Sequence, residues 1–192
     1  MTATTRERIL EAARDLLATR GVRRTTMEDV ADRAGISRVT VYRYFGDRVQ
    51  LIRAAALQMA EALEAVILDM GSETAPDLDA YLERIGATVM DLPAGVMGAM
   101  ADLQRVHPEV YTEVRGRERT AIRSLFDLLY SAAETQGRIR PGLDRRVVEV
   151  LFWEIVTGFL DNPELNRQGL TPSQVFDTTA AVLLRGILVD RR

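Results

Sequence analysis

The chain has 192 residues, 47% hydrophobic and 28% charged, with a formal net charge of −3. That is ample for a buried core in one large or two small domains, and the composition is ordinary for a soluble globular protein. The absence of cysteine excludes disulfides and thiol chemistry and suits a reducing cytoplasm. No stretch approaches the roughly 18 uninterrupted apolar residues of a membrane span.

The N-terminal MTATTRERIL is polar and then amphipathic, without the apolar core of a secretory signal. Up to residue 53 there are eleven arginines against seven acidic residues, and beyond it fourteen against twenty-one. A mildly acidic protein with a basic first quarter concentrates its attraction for polyanions at one end. Thr4 followed by Glu7 is a capping box that opens the first helix. Ile9, Ala13, Leu16 and Leu17 then form one buried stripe, and Gly21 ends the helix. Arg23 and Arg24 lie in the following loop, either as phosphate contacts or as plain solvated charges.

The stretch from Thr25 to Arg48 predicts two short helices, a tight turn and the start of a third helix. Thr26 followed by Asp29 is a second capping start, and Met27, Val30, Ala31 and Ala34 recur at helical spacing. Gly35 suits a left-handed helix end, and Ser37 caps the next helix near Thr40. In that helix Val41 and Phe45 face a core, leaving Arg38, Val39, Thr40, Tyr42, Arg43 and Tyr44 outward. Hydroxyls and guanidinium groups with no carboxylate suit phosphate oxygens and base edges in a major groove. The layout is a helix-turn-helix; an exposed helical hairpin with arbitrary polar residues is the plain alternative. Arg48 stands beside Asp47, the expected N-cap of the next helix, where a cation opposes the helix macrodipole, so a DNA phosphate is its expected partner.

Thr25-Thr26, Val30-Ala31, Ala34-Gly35-Ile36-Ser37, Thr40-Val41-Tyr42-Arg43-Tyr44-Phe45 and Arg48 together resemble the DNA-binding domain of TetR-type transcriptional regulators. The resemblance runs from about Thr5 to Leu51, a quarter of the chain. It departs from the common family pattern at Val39, where many members carry a small residue such as glycine, and at Val49, where an acidic residue is common. It implies a regulator, most often a repressor, released from duplex operator DNA by a small molecule. The DNA-binding candidates are Thr26, Ser37, Arg38, Val39, Thr40, Tyr42, Arg43, Tyr44 and Arg48. Arg43 and Thr40 are expected to read bases, whereas Tyr42, Tyr44 and Arg48 are expected to hold phosphates.

From Asp47 to about Met70 the apolar period is helical throughout, so one long helix enters the remainder of the chain without a flexible linker. GSETAP at 71–76 breaks it. Helices are expected at about 77–91, up to about Arg105 after Pro93-Ala94-Gly95, and from His107-Pro108 to about Gln136, with GRIRPG at 137–142 as the next break. Two strongly apolar helices follow, about 144–160 and 172–189. A helix apolar nearly all round is buried on several sides, which predicts a homodimer through a four-helix interface centred on Phe152, Phe159, Leu183 and Ile187. A monomeric core is the alternative.

His107 is the only histidine, so no transition-metal site and no cofactor is expected. No nucleophile elbow, phosphate loop, HExxH or catalytic carboxylate pair is present, which leaves an enzyme reading without support. Tyr81, Met97, Met100, His107, Tyr130, Phe152 and Trp153, from several helices, are candidates for a ligand cavity; filling the core is their alternative. The expectation is an all-α protein of about nine helices. Residues 1–50 form the helix-turn-helix domain, and 51–192 bind a small apolar or aromatic effector and dimerise. The partners are a palindromic operator and that effector, and no membrane. Two other classes stay open: an effector-independent DNA-organising protein, and a helical carrier or enzyme with a vestigial helix-turn-helix.

Overall fold

The computed structural model describes residues 4–73, 77–92, 95–161, 164 and 167–189. Side-chain caps set the boundaries of its first helices. Helix α1 (Thr5–Arg20) begins at a reciprocal box in which the Thr4 hydroxyl accepts from the Glu7 amide and the Glu7 carboxylate accepts from the Thr4 amide. Thr26 and Asp29 repeat the arrangement for α2 (Met27–Ala34). Each box satisfies two amides that a helix start leaves orphaned. Gly35 closes α2 at φ 64, where a Cβ would be strained. Ser37 then caps α3 (Arg38–Phe45) through the Thr40 amide at 3.2 Å, and Asp47 accepts from the Gln50 amide at the start of α4 (Arg48–Gly71).

The remaining helices are α5 (Leu78–Met90), α6 (Val96–Val106), α7 (Pro108–Thr135), α8 (Arg145–Asp161) and α9 (Pro172–Ile187). Nine helices and no strand make up the described residues, with one isolated antiparallel bridge between Ile139 and Leu188. The ends of α5 to α9 fall within two residues of the expected positions, the usual scatter of a fraying terminus. Of the expected breaks, residues 74–76 and 93–94 lie outside the described residues. No described helix is long and apolar enough to cross a membrane.

Two compact units result, Met1–Glu61 with Pro93–Arg115, and Ala62–Leu92 with Gly116–Arg192. In the first, Ile9, Leu10, Ala13, Leu16 and Leu17 of α1 are buried, as are Val30 and Ala31 of α2, Val41 and Phe45 of α3, and Leu51, Ile52 and Ala55 of α4. Burying each of the larger side chains among these contributes roughly 1.5–3 kcal/mol before entropy is set against it. Helix α6 packs on α1 in the same unit. A methyl group added at Gly95, the N-cap of α6, would overlap the carbonyl oxygen of Ala18, so glycine is what allows this approach. By packing, then, α6 joins the helix-turn-helix although it lies some fifty residues further along the chain.

In the second unit Ile67 and Met70 of α4 meet Leu78, Tyr81 and Ile85 of α5 and Ala121, Leu125, Ala132 and Ala133 of α7. A smaller cluster joins Phe126, Tyr130 and Val148, with Ile139, Phe152 and Ile187 packed against it. Arg140 donates to the carbonyls of Arg185, Gly186 and Leu188, covering acceptors that the end of α9 leaves unsatisfied.

Candidate nucleic-acid interface

Helix α3 divides cleanly into two faces. Val41 is fully buried and Phe45 nearly so, anchoring the helix to the first unit's core. Arg38, Val39, Tyr42, Arg43 and Tyr44 are exposed and Thr40 is half-buried. The helix itself carries no carboxylate. Its polar groups are held by contacts within the chain. The hydroxyls of Ser37 and Thr40 lie 2.8 Å apart and share a hydrogen bond. The Arg43 guanidinium stacks over the Tyr44 ring at 5.8 Å, and that of Arg38 over the Tyr42 ring at 5.6 Å. Arg38 also pairs with Glu28 of α2; its basicity is raised, first by the Tyr42 side chain and then by Glu28. With both partners about half exposed, that ion pair adds little stability.

Val39 is 77% exposed, the most exposed of the large hydrophobic side chains among the described residues. Thr26 has a different place. Its hydroxyl both accepts from the Asp29 amide and bonds the Asp29 carboxylate at 2.6 Å. These bonds, assisted by Arg20, hold the Asp29 carboxyl below the usual aspartate range.

Arg48 makes contacts within the chain that were not among its expected ones. Its Nε donates to the carbonyl of Thr25 at 2.7 Å and its Nη2 to the carbonyl of Val22. Thr25, itself buried, donates from its hydroxyl to the Gly21 carbonyl at 2.9 Å. Arg48 therefore clasps the loop that leads into α2 with two of its donors. The local sequence showed a cation placed against a helix dipole but not the loop carbonyls that compensate it. Of the two loop arginines, Arg24 donates to the Arg20 carbonyl, and Arg23 is exposed.

The ligand candidates fall in both units. Met100 is buried in the first, beside a small apolar cavity of about 30 Å³ lined by Leu17, Ile52, Ala56, Val96 and Leu103 among others. That is room for one or two waters, far short of the roughly 300 Å³ of a small-molecule pocket. His107 caps the end of α6, with Nδ1 3.5 Å from a Glu109 carboxylate oxygen and Nε2 buried without a hydrogen-bond partner. In the second unit the fully buried Tyr81 donates to the Met70 carbonyl at 2.8 Å, and burial raises the pKa of its phenol. Tyr130 and Phe152 come together through Phe126, their rings 5.5 and 5.4 Å from it, with Arg145 over Tyr130 at 5.0 Å. Trp153 lies under Arg119 at 5.3 Å. The side chain of Met97 lies outside the described ones.

Among the expected dimer residues, Phe152 and Ile187 are partly buried and pack against the subunit's own cluster. Leu183 is half-buried, and the side chain of Phe159 lies outside the described ones. Among the described side chains of α8 and α9, the exposed large apolar ones are Val147, Val150, Leu151 and Val182. Their i, i+3, i+4 spacing on α8 is present in the sequence.

Residues 9–55, which contain this interface, match the family model described as bacterial regulatory proteins, tetR family. The regulator TtgR of Pseudomonas putida is 35% identical over 166 residues, covering 81% of this chain and 78% of that protein. The transcriptional repressor LfrR of Mycolicibacterium smegmatis is 27% identical over 187 residues, covering 96% of this chain and 90% of that one. A crystal structure of the TetR-like regulator LfrR from Mycobacterium smegmatis, in complex with proflavine, superposes with a TM-score of 0.57 and covers 97% of each chain. With the helix-turn-helix intact and the likeness extending through the helices beyond it, the chain belongs to the TetR family of bacterial regulatory proteins and is a DNA-binding transcriptional regulator.

Proposed function

We propose that the protein is a repressor that grips a palindromic duplex operator as a homodimer and leaves it when a small apolar or aromatic molecule binds. The observation that carries this reading is the outward face of α3, arginines and tyrosines without a carboxylate on the helix. Arg43 and Thr40 meet base edges, and Tyr42, Tyr44 and Arg38 hold phosphates. Residues 1–50 bind the DNA, and residues 51–192 bind the effector and the second subunit. Val147, Val150 and Leu151 on α8 and Val182 on α9 support a subunit interface, because a stripe of exposed aliphatic side chains is favourable to cover. The complex of LfrR with proflavine supports an aromatic effector. Because α4 supplies residues to both units, a change in its position would alter the spacing of two recognition helices, which must match half-sites about 34 Å apart or a multiple of that.

Selection from a random duplex pool with the full-length protein is expected to enrich one palindrome. Neutral aromatic compounds are then ranked by how far they raise the melting temperature of the free protein. The best of them should weaken operator binding about 5–150-fold, and operator should weaken its binding by the same factor, since coupling is reciprocal. A compound bound equally well with and without the duplex is not the effector. Enrichment of no sequence would leave a DNA-coating protein as the better description.

A further inference from the structure

The most exposed large apolar side chain among the described residues lies on the recognition helix itself. Val39, at 77% exposure, sits between Arg38 and Thr40, with Tyr42 and Arg43 one turn further on the same side. Valine has no donor or acceptor, so it contributes nothing to a phosphate. Its helix propensity is also poorer than that of alanine, and so little burial offsets nothing within the subunit. In a major groove there is one apolar feature that distinguishes base pairs, the 5-methyl group of thymine. A β-branched side chain in a helix holds almost a single rotamer, so its two methyl groups are preset for such a contact.

We propose that Val39 is a specificity-determining residue that selects thymine, by packing its methyl groups against the thymine 5-methyl in the major groove. The assignment rests on the DNA-binding reading above. It also fixes a register. Four residues of helix separate Val39 from Arg43, about 6 Å along the axis, which is about two base-pair steps of 3.4 Å. The selected thymine therefore lies within about two base pairs of the base that Arg43 reads.

The test uses the duplex that the full-length protein selects from a random pool. Each thymine in it is replaced singly by deoxyuridine, which removes the 5-methyl group and leaves base pairing unchanged. One thymine in each half-site is expected to show a loss of about fourfold with the wild-type protein, the worth of one buried methyl-sized group. Val39→Ala, whose single methyl reaches less far, should show a smaller loss on that replacement than the wild type does. Because Val39 is outside the core and alanine is the better helix former, that variant should melt no lower than the wild type. An enriched duplex in which every uracil replacement is silent, or costs the wild type and Val39→Ala alike, removes the thymine assignment and leaves the DNA-binding reading intact. So does a selected site with no thymine near the Arg43 base. Failure to enrich any duplex removes both.

Discussion

Two residues near α3 hold the elements of the interface together through contacts within the chain. Arg48 ties the carbonyls of Thr25 and Val22 to the start of α4. Hydrogen bonds from a charged donor contribute about 1.5–3 kcal/mol, so Arg48→Ala is expected to lower stability by about that much in urea unfolding. If the arginine acts through the loop, the salt dependence of DNA binding stays unchanged; a slope flattened by about one unit would restore a direct phosphate contact. Asp29 gives a pH prediction. Its folded carboxyl is held below the unfolded value of 3.8 by Thr26, with Arg20 assisting. Its contribution is therefore complete above that value and is lost as pH falls through the lower folded one. An NMR titration of the Asp29 carboxyl should move toward the ordinary range in Thr26→Val and stay depressed in the wild type.

Among the helices, the junction of α6 with α1 is the tightest constraint. Gly95 admits the carbonyl of Ala18, and the short cavity beside it, next to Met100 and Leu17, holds no more than a water or two. Gly95→Ala must push the start of α6 away from α1. Overpacking of this kind costs about 1–3 kcal/mol, and the loss should appear as a lower thermal midpoint. A variant as stable as the wild type would show that the two helices separate freely. Helix α8 carries a second contrast, between adjacent positions. Phe152 packs on Phe126 in the subunit core, whereas Leu151 is exposed.

For the whole molecule that contrast separates folding from assembly. Leu151→Glu places a charge on the proposed subunit interface, where burial without a partner is expensive. Sedimentation should then show folded monomers at concentrations where the wild type is dimeric. Phe152→Ala instead should lower stability by about 3 kcal/mol with little change in association beyond that. A Leu151→Glu protein that sediments as the wild type does would move the interface off this face. A dimer also implies that the melting temperature of the wild type rises with protein concentration.

Local chemistry was enough to read the helix-turn-helix from the chain. Thr4, Thr26, Ser37 and Gly35 act on neighbours three or four residues away, and the buried stripe of α1 repeats at helical spacing, so each signal is complete within a dozen residues. The outward set on α3 followed from the same period. What Arg48 does was not legible, because its acceptors lie more than twenty residues earlier and are backbone carbonyls, which every residue possesses. The packing of α6 on α1 was hidden for a related reason, since Gly95 read as a chain break and its partner Ala18 carries no distinguishing group. In α8 and α9 the apolar residues outnumber one face, and hydrophobicity says that a side chain avoids water without saying which neighbour covers it. Tertiary packing decided that Phe152 and Ile187 face the subunit core and left Val147, Val150, Leu151 and Val182 outside it, because burial depends on where the other helices lie rather than on the residue's own affinity for water.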